Sequence, residues 1–235
     1  MRAAPGYLAR VTAPIVAIDG PAGAGKSTVA RQLARRLGFT IIDTGAIYRS
    51  VALAAQREGV SWDDDAGLAR LLDPPGLPIA FGENDTVFLD GEDISAAIRT
   101  PEMSRGASVV SARPVVRERL LDLQRSLGRA APRGAVLEGR DIGTVVFPDA
   151  TVKFFLTAAD DARARRRHAE LAGKGHEVDL SDVLEDQRRR DKDDTERAIA
   201  PLKPAPDAVV VDTTGLDLDQ VVERCFRAVR ERVAA

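Results

Sequence analysis

A glycine-rich segment near the amino terminus has the residue types and the spacing that bind a polyphosphate. It matches the pattern G-x-x-x-x-G-K-[ST]. Its members are Gly20, Pro21, Ala22, Gly23, Ala24, Gly25, Lys26, Ser27 and Thr28. Glycines let the backbone turn its N–H groups toward phosphate oxygens, and a helix that begins there adds a partial positive charge. We expect Lys26 to reach the β and γ phosphates and the Ser27 hydroxyl to bind Mg²⁺, so the segment predicts binding of ATP or GTP.

The elements around this segment support the same interpretation. The apolar run Ile15–Asp19 before it is typical of a buried parallel strand. Apolar residues recur at every fourth position from Val29 to Leu37, which predicts a helix, and Gly38 can end that helix. Strand, glycine loop and helix in this order distinguish the segment from a glycine-rich turn that only connects two elements.

The rest of the chain alternates short apolar runs with stretches of helical spacing. The further runs are 39–42, 135–137, 152–156 and 208–211. Strands that alternate with helices predict an α/β fold, a P-loop three-layer core in which helices flank both faces of a parallel sheet. The last helix carries one apolar stripe from Leu218 to Val233, and we expect Cys225 within it to pack in the core rather than react.

One region interrupts this rhythm between residues 73 and 99. It has turn signals at Gly82–Asp85 and at Asp90-Gly91, with alternating apolar residues between them. We interpret it as a small antiparallel meander inserted beside the core.

Composition and charge exclude several classes of protein. The chain has 235 residues, of which 44% are hydrophobic and 30% charged, so it is not of the disordered class. The formal net charge is only −2, which predicts neither nucleic acid nor an anionic membrane as a partner. Residues 1–14 lack the apolar stretch of a signal peptide and are expected to form a disordered tail. With a single cysteine, we expect a cytoplasmic location.

Five motifs in this order resemble the bacterial cytidylate kinase family. They are IDGPAGAGKST (18–28), DTGAIYR (43–49), GEDIS (91–95) followed by IRTPE, LEGRDIGTVVFPDA (137–150) and RDKDDTERAIAPL (190–202). The resemblance extends from Ile15 to the last helix. It implies an enzyme that transfers the γ-phosphoryl group of ATP, with Mg²⁺, to CMP or dCMP in pyrimidine metabolism. We expect a monomer. No N-K-x-D run is present, which argues against a switch GTPase.

Such a reaction brings two polyanions together, and planar guanidinium groups are suited to that task. The resemblance implies that Arg49, Arg140 and Arg197 hold the acceptor phosphate. Because the second pKa of a phosphate monoester is about 6, the attacking oxygen is largely deprotonated at neutral pH and needs no general base. We assign no role to His168 and His176.

The acceptor base is expected to be cytosine. A carboxylate accepts a hydrogen bond from the exocyclic amine of cytosine, whereas uracil presents a carbonyl there. The resemblance places Asp141 at this amine, with Ser108 assisting and Arg117 donating to the acceptor edge of the ring. From the residues alone, Asp141 is equally a Mg²⁺ ligand or a helix cap.

For the sugar, the resemblance implies contacts from Arg190 and Asp194. Thr44 would act near the acceptor through its hydroxyl, or it caps the helix that carries Arg49. A helical lid is expected at 159–202, with Arg163 and Arg167 supplying charge to the transferring phosphoryl group, although a solvated helix face also explains such an arginine cluster.

The predicted division of the chain is therefore as follows. The P-loop core takes residues 15–72, 100–158 and 203–235, the inserted NMP-binding subdomain takes 73–99, and the lid takes 159–202. Two alternatives are a kinase for UMP, AMP or shikimate, and a P-loop nucleic-acid-binding ATPase. The second predicts salt-dependent affinity for polynucleotides, which the small net charge and the scarcity of Tyr and Trp disfavour.

Overall fold

The computed structural model describes residues 13–74, 76–82, 85–173, 175 and 177–233. The strands are β1 (Ile15–Asp19), β2 (Thr40–Asp43), β3 (Ile79–Phe81), β4 (Val87–Leu89), β5 (Glu92–Asp93), β6 (Ala135–Gly139), β7 (Val152–Thr157) and β8 (Val209–Asp212). The α-helices are α1 (Lys26–Leu37), α2 (Thr44–Arg57), α3 (Asp65–Leu72), α4 (Pro101–Ser111), α5 (Pro114–Ala130), α6 (Asp160–Gly173), α7 (Leu180–Glu196) and α8 (Leu218–Val233). Residues 1–12 of the predicted tail and His176 lie outside the described residues.

The main sheet has five parallel strands in the order β2-β6-β1-β7-β8. This confirms the predicted parallel α/β sheet. The pairing of β1 with β6 continues to Asp19 opposite Gly139, so β6 ends two residues beyond its apolar run. An apolar run does not predict the polar last residues of a strand, because backbone hydrogen bonding rather than side-chain burial keeps those residues extended.

Helices cover both faces of the sheet. Val16 and Ile18 of β1 face a cluster that contains residues of α1 and α8, whereas Ala17 faces a second cluster against which Leu121 and Leu127 of α5 pack. Alternate side chains of a strand point to opposite faces, so a fully buried strand must be apolar throughout. The predicted three-layer core is confirmed.

Two predicted details of the flanking helices are also confirmed. Gly38 ends α1 with a φ of 69°, and its N–H donates to the carbonyl oxygens of Ala34 and Arg35. Cys225 is completely buried in α8, and burial raises the pKa of its thiol to about 12, so it packs as a small apolar residue.

The meander forms a three-stranded antiparallel sheet in the order β3-β4-β5. Asp90 and Gly91 turn between β4 and β5 with φ values of 50° and 78°, the positive values that a tight hairpin requires. The buried residues Ile79, Val87 and Leu89 belong to one hydrophobic cluster with residues of α2, α3, α4 and α5. The meander therefore shares its core with the helices before and after it.

The helices α6 and α7 pack on each other through a small cluster of Ala164, Leu171 and Val183. Lys174 of the predicted bend between them is outside the described residues. No helix in the described ranges combines the length and the apolar surface needed to cross a membrane.

Candidate active site

The candidate site lies at the edge of the main sheet where the parallel strands end. β1 ends at Asp19, opposite Gly139 at the end of β6, and β2 ends at Asp43, opposite Glu138. Ligands of open α/β sheets bind at this carboxyl edge, in the crevice formed by the connections that follow the strands. The glycine-rich segment follows β1, the helix with Arg49 follows β2, and Arg140 and Asp141 follow β6. Three of the predicted motifs therefore meet at one edge.

The phosphate loop takes a conformation that only glycine permits at two positions. Gly20 has a φ of 147°, and a Cβ atom there would lie 2.0 Å from the carbonyl oxygen of Leu156 in β7. Gly23 has a φ of 74°, and a Cβ atom there would lie 3.1 Å from the Cβ atom of Arg163 and 3.2 Å from Oε1 of Gln187. The loop is thus in close contact with the sheet on one side and with α6 and α7 on the other.

Lys26 is buried at the start of α1, and its Nζ atom donates to the carbonyl oxygen of Pro21 at 2.8 Å. Burial and then the charge of Arg140 lower the pKa of Lys26 to about 7, against the opposing effect of Glu138, Asp194 and Asp19. A phosphate group bound in the loop would stabilise the charged ammonium group, because an opposite charge nearby favours the ionised form.

Two buried carboxylates of this edge were missed by the sequence analysis. Asp19 accepts from the backbone N–H groups of Ile142 at 2.8 Å and Gly143 at 2.7 Å, and burial raises its pKa to about 6. Burial and then the charge of Asp43 raise the pKa of Glu138. The available signal was an acidic residue at the end of an apolar run, since a carboxylate is rarely buried without partners.

Five charged side chains form a buried network next to the phosphate loop. Arg117 donates to Asp141, and Arg140 donates to Asp194 with 2.8 Å between Nε and Oδ2. Arg197 lies between the two carboxylates, with its Nη atoms 3.7 Å from Asp141 and 3.7 Å from Asp194. The structure therefore brings together five of the predicted substrate-contacting residues.

Asp141 and Thr44 do not cap helices. Asp141 precedes a π-helical turn (Ile142–Val146) that the sequence did not predict, and its side chain accepts no capping hydrogen bond there. At the start of α2, Asp43 is the cap, accepting from the N–H of Ala46 at 2.9 Å. The Thr44 hydroxyl instead donates to the carbonyl oxygen of Glu138 at 2.7 Å. The helix-capping alternatives for both residues are wrong.

Arg49 reaches the same edge from α2. Its Nη2 atom donates to the Asp43 carboxylate at 2.8 Å, and its charge acts on the neighbouring Glu138 carboxylate. Ser108 lies on α4, one turn before the last residue of that helix, Ser111. Arg117 donates to the carbonyl oxygen of Ser111 at 3.1 Å. Neither Arg49 nor Ser108 belongs to the hydrogen bonds and ion pairs of the five-residue network described above.

Several guanidinium nitrogens of the site lack a hydrogen-bond acceptor within the described part of the chain. These buried atoms are Nε of Arg49, Nε of Arg190 and Nη2 of Arg197. Burial and then the charge of Arg140 lower the pKa of Arg190, and burial and then the charge of Arg117 lower that of Arg197. An anionic oxygen would accept hydrogen bonds from the buried donors and would reduce the repulsion between the crowded positive charges. The site therefore fits a phosphate group.

The two arginines predicted for the lid differ in their positions. Arg163 is buried and donates to Ala22 of the phosphate loop at 2.8 Å and to Asp191 of α7 at 2.5 Å. Asp191 in turn accepts from the N–H of Ala22 at 3.3 Å. Arg167 pairs with Glu170 on its own helix at 2.8 Å. Only Arg163 contacts the phosphate loop.

A cleft of about 330 Å³ is bordered by the phosphate loop, β7 and the helices α6 and α7. It is lined by Pro21, Thr157, Arg163, Asp191 and others. The Lys26 ammonium group and the start of α1 are suited to bind a polyphosphate, and the Ser27 hydroxyl is suited to bind Mg²⁺. A single hydroxyl fits Mg²⁺, which takes most of its ligands from water and substrate phosphates.

Comparison with known proteins gives a consistent result. The family model described as cytidylate kinase matches residues 16–231. A protein named cytidylate kinase from Geobacter sulfurreducens is 54% identical over 224 residues, which cover 94% of this chain and 94% of that protein. A second protein of this name, from Citrifermentans bemidjiense, is 53% identical over 223 residues, with the same coverage of both chains. A solved structure of an uncharacterized protein from Eubacterium ventriosum matches with a TM-score of 0.53 and 13% identity, over 92% of this chain and 98% of that one, which supports the fold.

Proposed function

The chain belongs to the cytidylate kinase family, and we propose that it transfers the γ-phosphoryl group of ATP to CMP or dCMP. An oxygen of the acceptor phosphate attacks the γ-phosphorus, the bond from that phosphorus to the β–γ bridging oxygen breaks, and ADP and CDP or dCDP are formed. The observation that carries the proposal is the convergence of arginines with unused donors on the edge next to the phosphate loop.

In this proposal Arg49, Arg140 and Arg197 hold the acceptor phosphate. Nε of Arg49 and Nη2 of Arg197 lack a hydrogen-bond acceptor among the described residues, which supports this role, because each can donate to an incoming phosphate oxygen. Arg140 is held by Asp194 beside Lys26, so acceptor and donor phosphates would meet between these side chains. Catalysis then depends on position and charge rather than on a general base.

We assign base selection to Asp141, with Ser108 and Arg117. The Asp141 carboxylate would accept from the exocyclic amine of cytosine, and Arg117, already hydrogen-bonded to Asp141, would donate to the acceptor edge of the ring. Uracil would place a carbonyl against the carboxylate, which costs about 1–3 kcal/mol for two opposed acceptors. CMP should therefore be preferred to UMP.

The remaining contacts concern the sugar, the donor and the lid. Arg190 and Asp194 would bind the ribose, with the Thr44 hydroxyl near the acceptor. The segment from Gly20 to Thr28 would bind ATP, and Lys26 would neutralise its β and γ phosphates. When bound, Mg²⁺ would sit on the Ser27 hydroxyl and neutralise phosphate charge.

We also propose that two segments have the separate functions that the sequence suggests. Residues 73–99 would serve acceptor binding and residues 159–202 would close over ATP, with Arg163 and Arg167 as the lid arginines. The enzyme would act as a monomer in the cytoplasm on free nucleotides.

The test measures ADP formation with ATP, Mg²⁺ and each of CMP, dCMP, UMP and AMP, for the native protein and for Asp141→Ala. We expect CMP or dCMP to be the best acceptor, and the variant to lose most of the preference for CMP over UMP. An unchanged preference in the variant would overturn the assignment of Asp141. Stimulation of ATP hydrolysis by a polynucleotide, without transfer to CMP, would favour the nucleic-acid-binding ATPase.

A further inference from the structure

We infer that Asp19 is a positioning residue for base selection, because its carboxylate holds the turn that carries Arg140 and Asp141. The inference rests on the proposed function of Asp141 and adds a residue that touches neither nucleotide in that proposal. It concerns how the acceptor base is distinguished rather than how phosphate is bound.

The carboxylate of Asp19 binds two consecutive peptide groups of the turn. Oδ1 accepts from the N–H of Ile142 at 2.8 Å and Oδ2 accepts from the N–H of Gly143 at 2.7 Å. Asp19 is 4% exposed, so water does not replace these bonds readily. A carboxylate that accepts from two buried N–H groups makes strong, directional contacts.

The main chain of Asp19 fixes the other end of the same turn. Asp19 is paired in parallel register with Gly139, the last residue of β6. Arg140 and Asp141 are the two residues between Gly139 and Ile142, so one residue of β1 holds the chain immediately before and immediately after them. The direction in which the Asp141 side chain leaves the backbone is therefore set by Asp19.

The glycines of the turn are consistent with this tight arrangement. A Cβ atom at Gly143 would lie 3.1 Å from Cδ of Lys153 and 3.4 Å from Oδ2 of Asp19. A Cβ atom at Gly139 would lie 2.8 Å from Cδ1 of Ile142. A side chain at Gly139 would therefore displace the turn, whereas one at Gly143 would press on the flexible Lys153 side chain and reach only van der Waals contact with Asp19.

An acceptor with two oxygens is needed at this position. In Asp19→Asn one oxygen is replaced by an amide group that only donates, so one of the two N–H groups faces a donor. The turn should then shift, and Asp141 with it. Displacement of a positioned group by about 1 Å can reduce a rate by up to two orders of magnitude. We expect the ratio of kcat/KM for CMP to that for UMP to fall by about tenfold.

The experiment compares that ratio in the native protein, Asp19→Asn, Asp141→Ala and a matched control, Asp64→Asn. Asp64 also accepts from two backbone N–H groups, Ala66 at 3.1 Å and Gly67 at 3.0 Å, but it caps α3 away from the strand edge. A reduced ratio in Asp19→Asn, with the KM for ATP changed less than that for CMP and an unchanged ratio in Asp64→Asn, supports the inference. A global loss of stability would lower both rates and leave the ratio unchanged.

The outcomes separate the inference from the proposed function. If Asp141→Ala lowers the ratio and folded Asp19→Asn does not, the inference is overturned and the role of Asp141 stands. If Asp141→Ala leaves the ratio unchanged, the role of Asp141 fails and the inference fails with it. If Asp19→Asn does not fold, Asp19→Glu keeps both acceptor oxygens but moves them by one methylene group, and a native ratio in that variant overturns the inference.

Discussion

A buried guanidinium nitrogen without an acceptor is the most direct indication of a ligand at the scale of single residues. Arg49, Arg190 and Arg197 each have such an atom among the described residues. A buried donor left unpaired costs about 1–3 kcal/mol, a loss that a phosphate oxygen can recover on binding. If these residues bind phosphate as proposed, they contribute to function at the expense of stability.

Replacement of Arg49 tests this interpretation. Arg49→Lys keeps the charge but loses the planar fork, so we expect kcat/KM for CMP to fall by about tenfold or more, with a much smaller change in the KM for ATP. Steady-state kinetics with either nucleotide varied measures both. Arg57→Lys is the control, since Arg57 lies on the same helix in an exposed pair with Glu92. Equal effects of the two substitutions would contradict the assignment.

Asp19 predicts a pH dependence of base selection. Because burial raises its pKa to about 6, the residue is a carboxylate above that pH and becomes protonated below it. A protonated oxygen no longer accepts freely from the turn, so the preference for CMP over UMP should decline as the pH falls through about 6. Lys26 and Asp141 face Asp19, and Lys153 lies beside Gly143.

The ratio of the two substrates isolates this effect. Titration of Lys26, and of the acceptor phosphate with its pKa of about 6, acts on CMP and UMP alike and cancels in the ratio. Measuring kcat/KM for both nucleotides across the neutral and mildly acidic range tests the prediction, and a ratio independent of pH would contradict it.

The site was only partly predictable from residue types. The spacing of Gly20 to Ser27 predicts a phosphate loop because the residues that bind phosphate follow one another in the sequence. Asp141 could be assigned to the base only by resemblance, since its partners Arg117 and Arg197 are distant in sequence. Asp19 was missed because the N–H groups that it binds lie more than 120 residues away. Long-range pairing decides what a buried carboxylate does, and no local pattern contains it.

At the scale of elements, α6 and α7 are attached to the phosphate loop through one residue, Ala22. Arg163 binds the carbonyl oxygen of Ala22 while Asp191 binds its N–H group. Arg163 also donates to the carbonyl oxygen of Ala158 at 3.0 Å and to Asp160 at 2.6 Å. One guanidinium group thus connects α6, α7 and the loop.

Arg163→Lys should disrupt this connection, because an ammonium group cannot reach acceptors on three elements in the geometry of the fork. We expect kcat to fall by about tenfold or more, as for other losses of positioned charge around a transferred phosphoryl group. Arg165→Lys is the matched control, since Arg165 lies on the same helix in an exposed pair with Asp161. A similar loss in both variants would show that the loop contact is unimportant.

The contact between the phosphate loop and β7 predicts a difference between two glycine substitutions. Gly20→Ala places a Cβ atom 2.0 Å from the carbonyl oxygen of Leu156, so it should lower the free energy of unfolding severely or prevent folding. Gly91→Ala meets no atom within 4 Å and suffers only the strain of its positive φ of 78°, about 1 kcal/mol. Urea unfolding of both variants measures the difference, and equal losses would contradict the prediction.

The elements were more predictable than their packing. Alternation of apolar runs and helical spacing was sufficient for the five parallel strands and for α1 and α8. The meander was also predicted, but its shared core with α2 to α5 was not, because residues such as Ile79 and Leu89 are only apolar residues in a pattern until tertiary contacts are known. The π-helical turn at 142–146 donates two backbone hydrogen bonds to the distant Asp19 and likewise had no local signal.

At the scale of the whole molecule, a formal net charge of −2 conceals a local concentration of charges of both signs. Arginines are concentrated at the strand edge and in α6 and α7, where carboxylates such as Asp141, Asp191 and Asp194 balance them. Such an arrangement attracts a phosphate locally without drawing the protein onto long polyanions. It agrees with an enzyme that acts on small nucleotides.

Because Cys225 is completely buried, its reaction with a labelling reagent can report detachment of α8 from the sheet. It is the only cysteine of the chain. Its side chain is buried between α8 and the sheet, and this burial raises the pKa of the thiol to about 12. An alkylating reagent should therefore label the native protein slowly, at a rate set by detachment of the carboxyl-terminal helix. Mass spectrometry of labelling over time, with and without nucleotides, would follow that detachment, and rapid labelling of the native protein would contradict the burial.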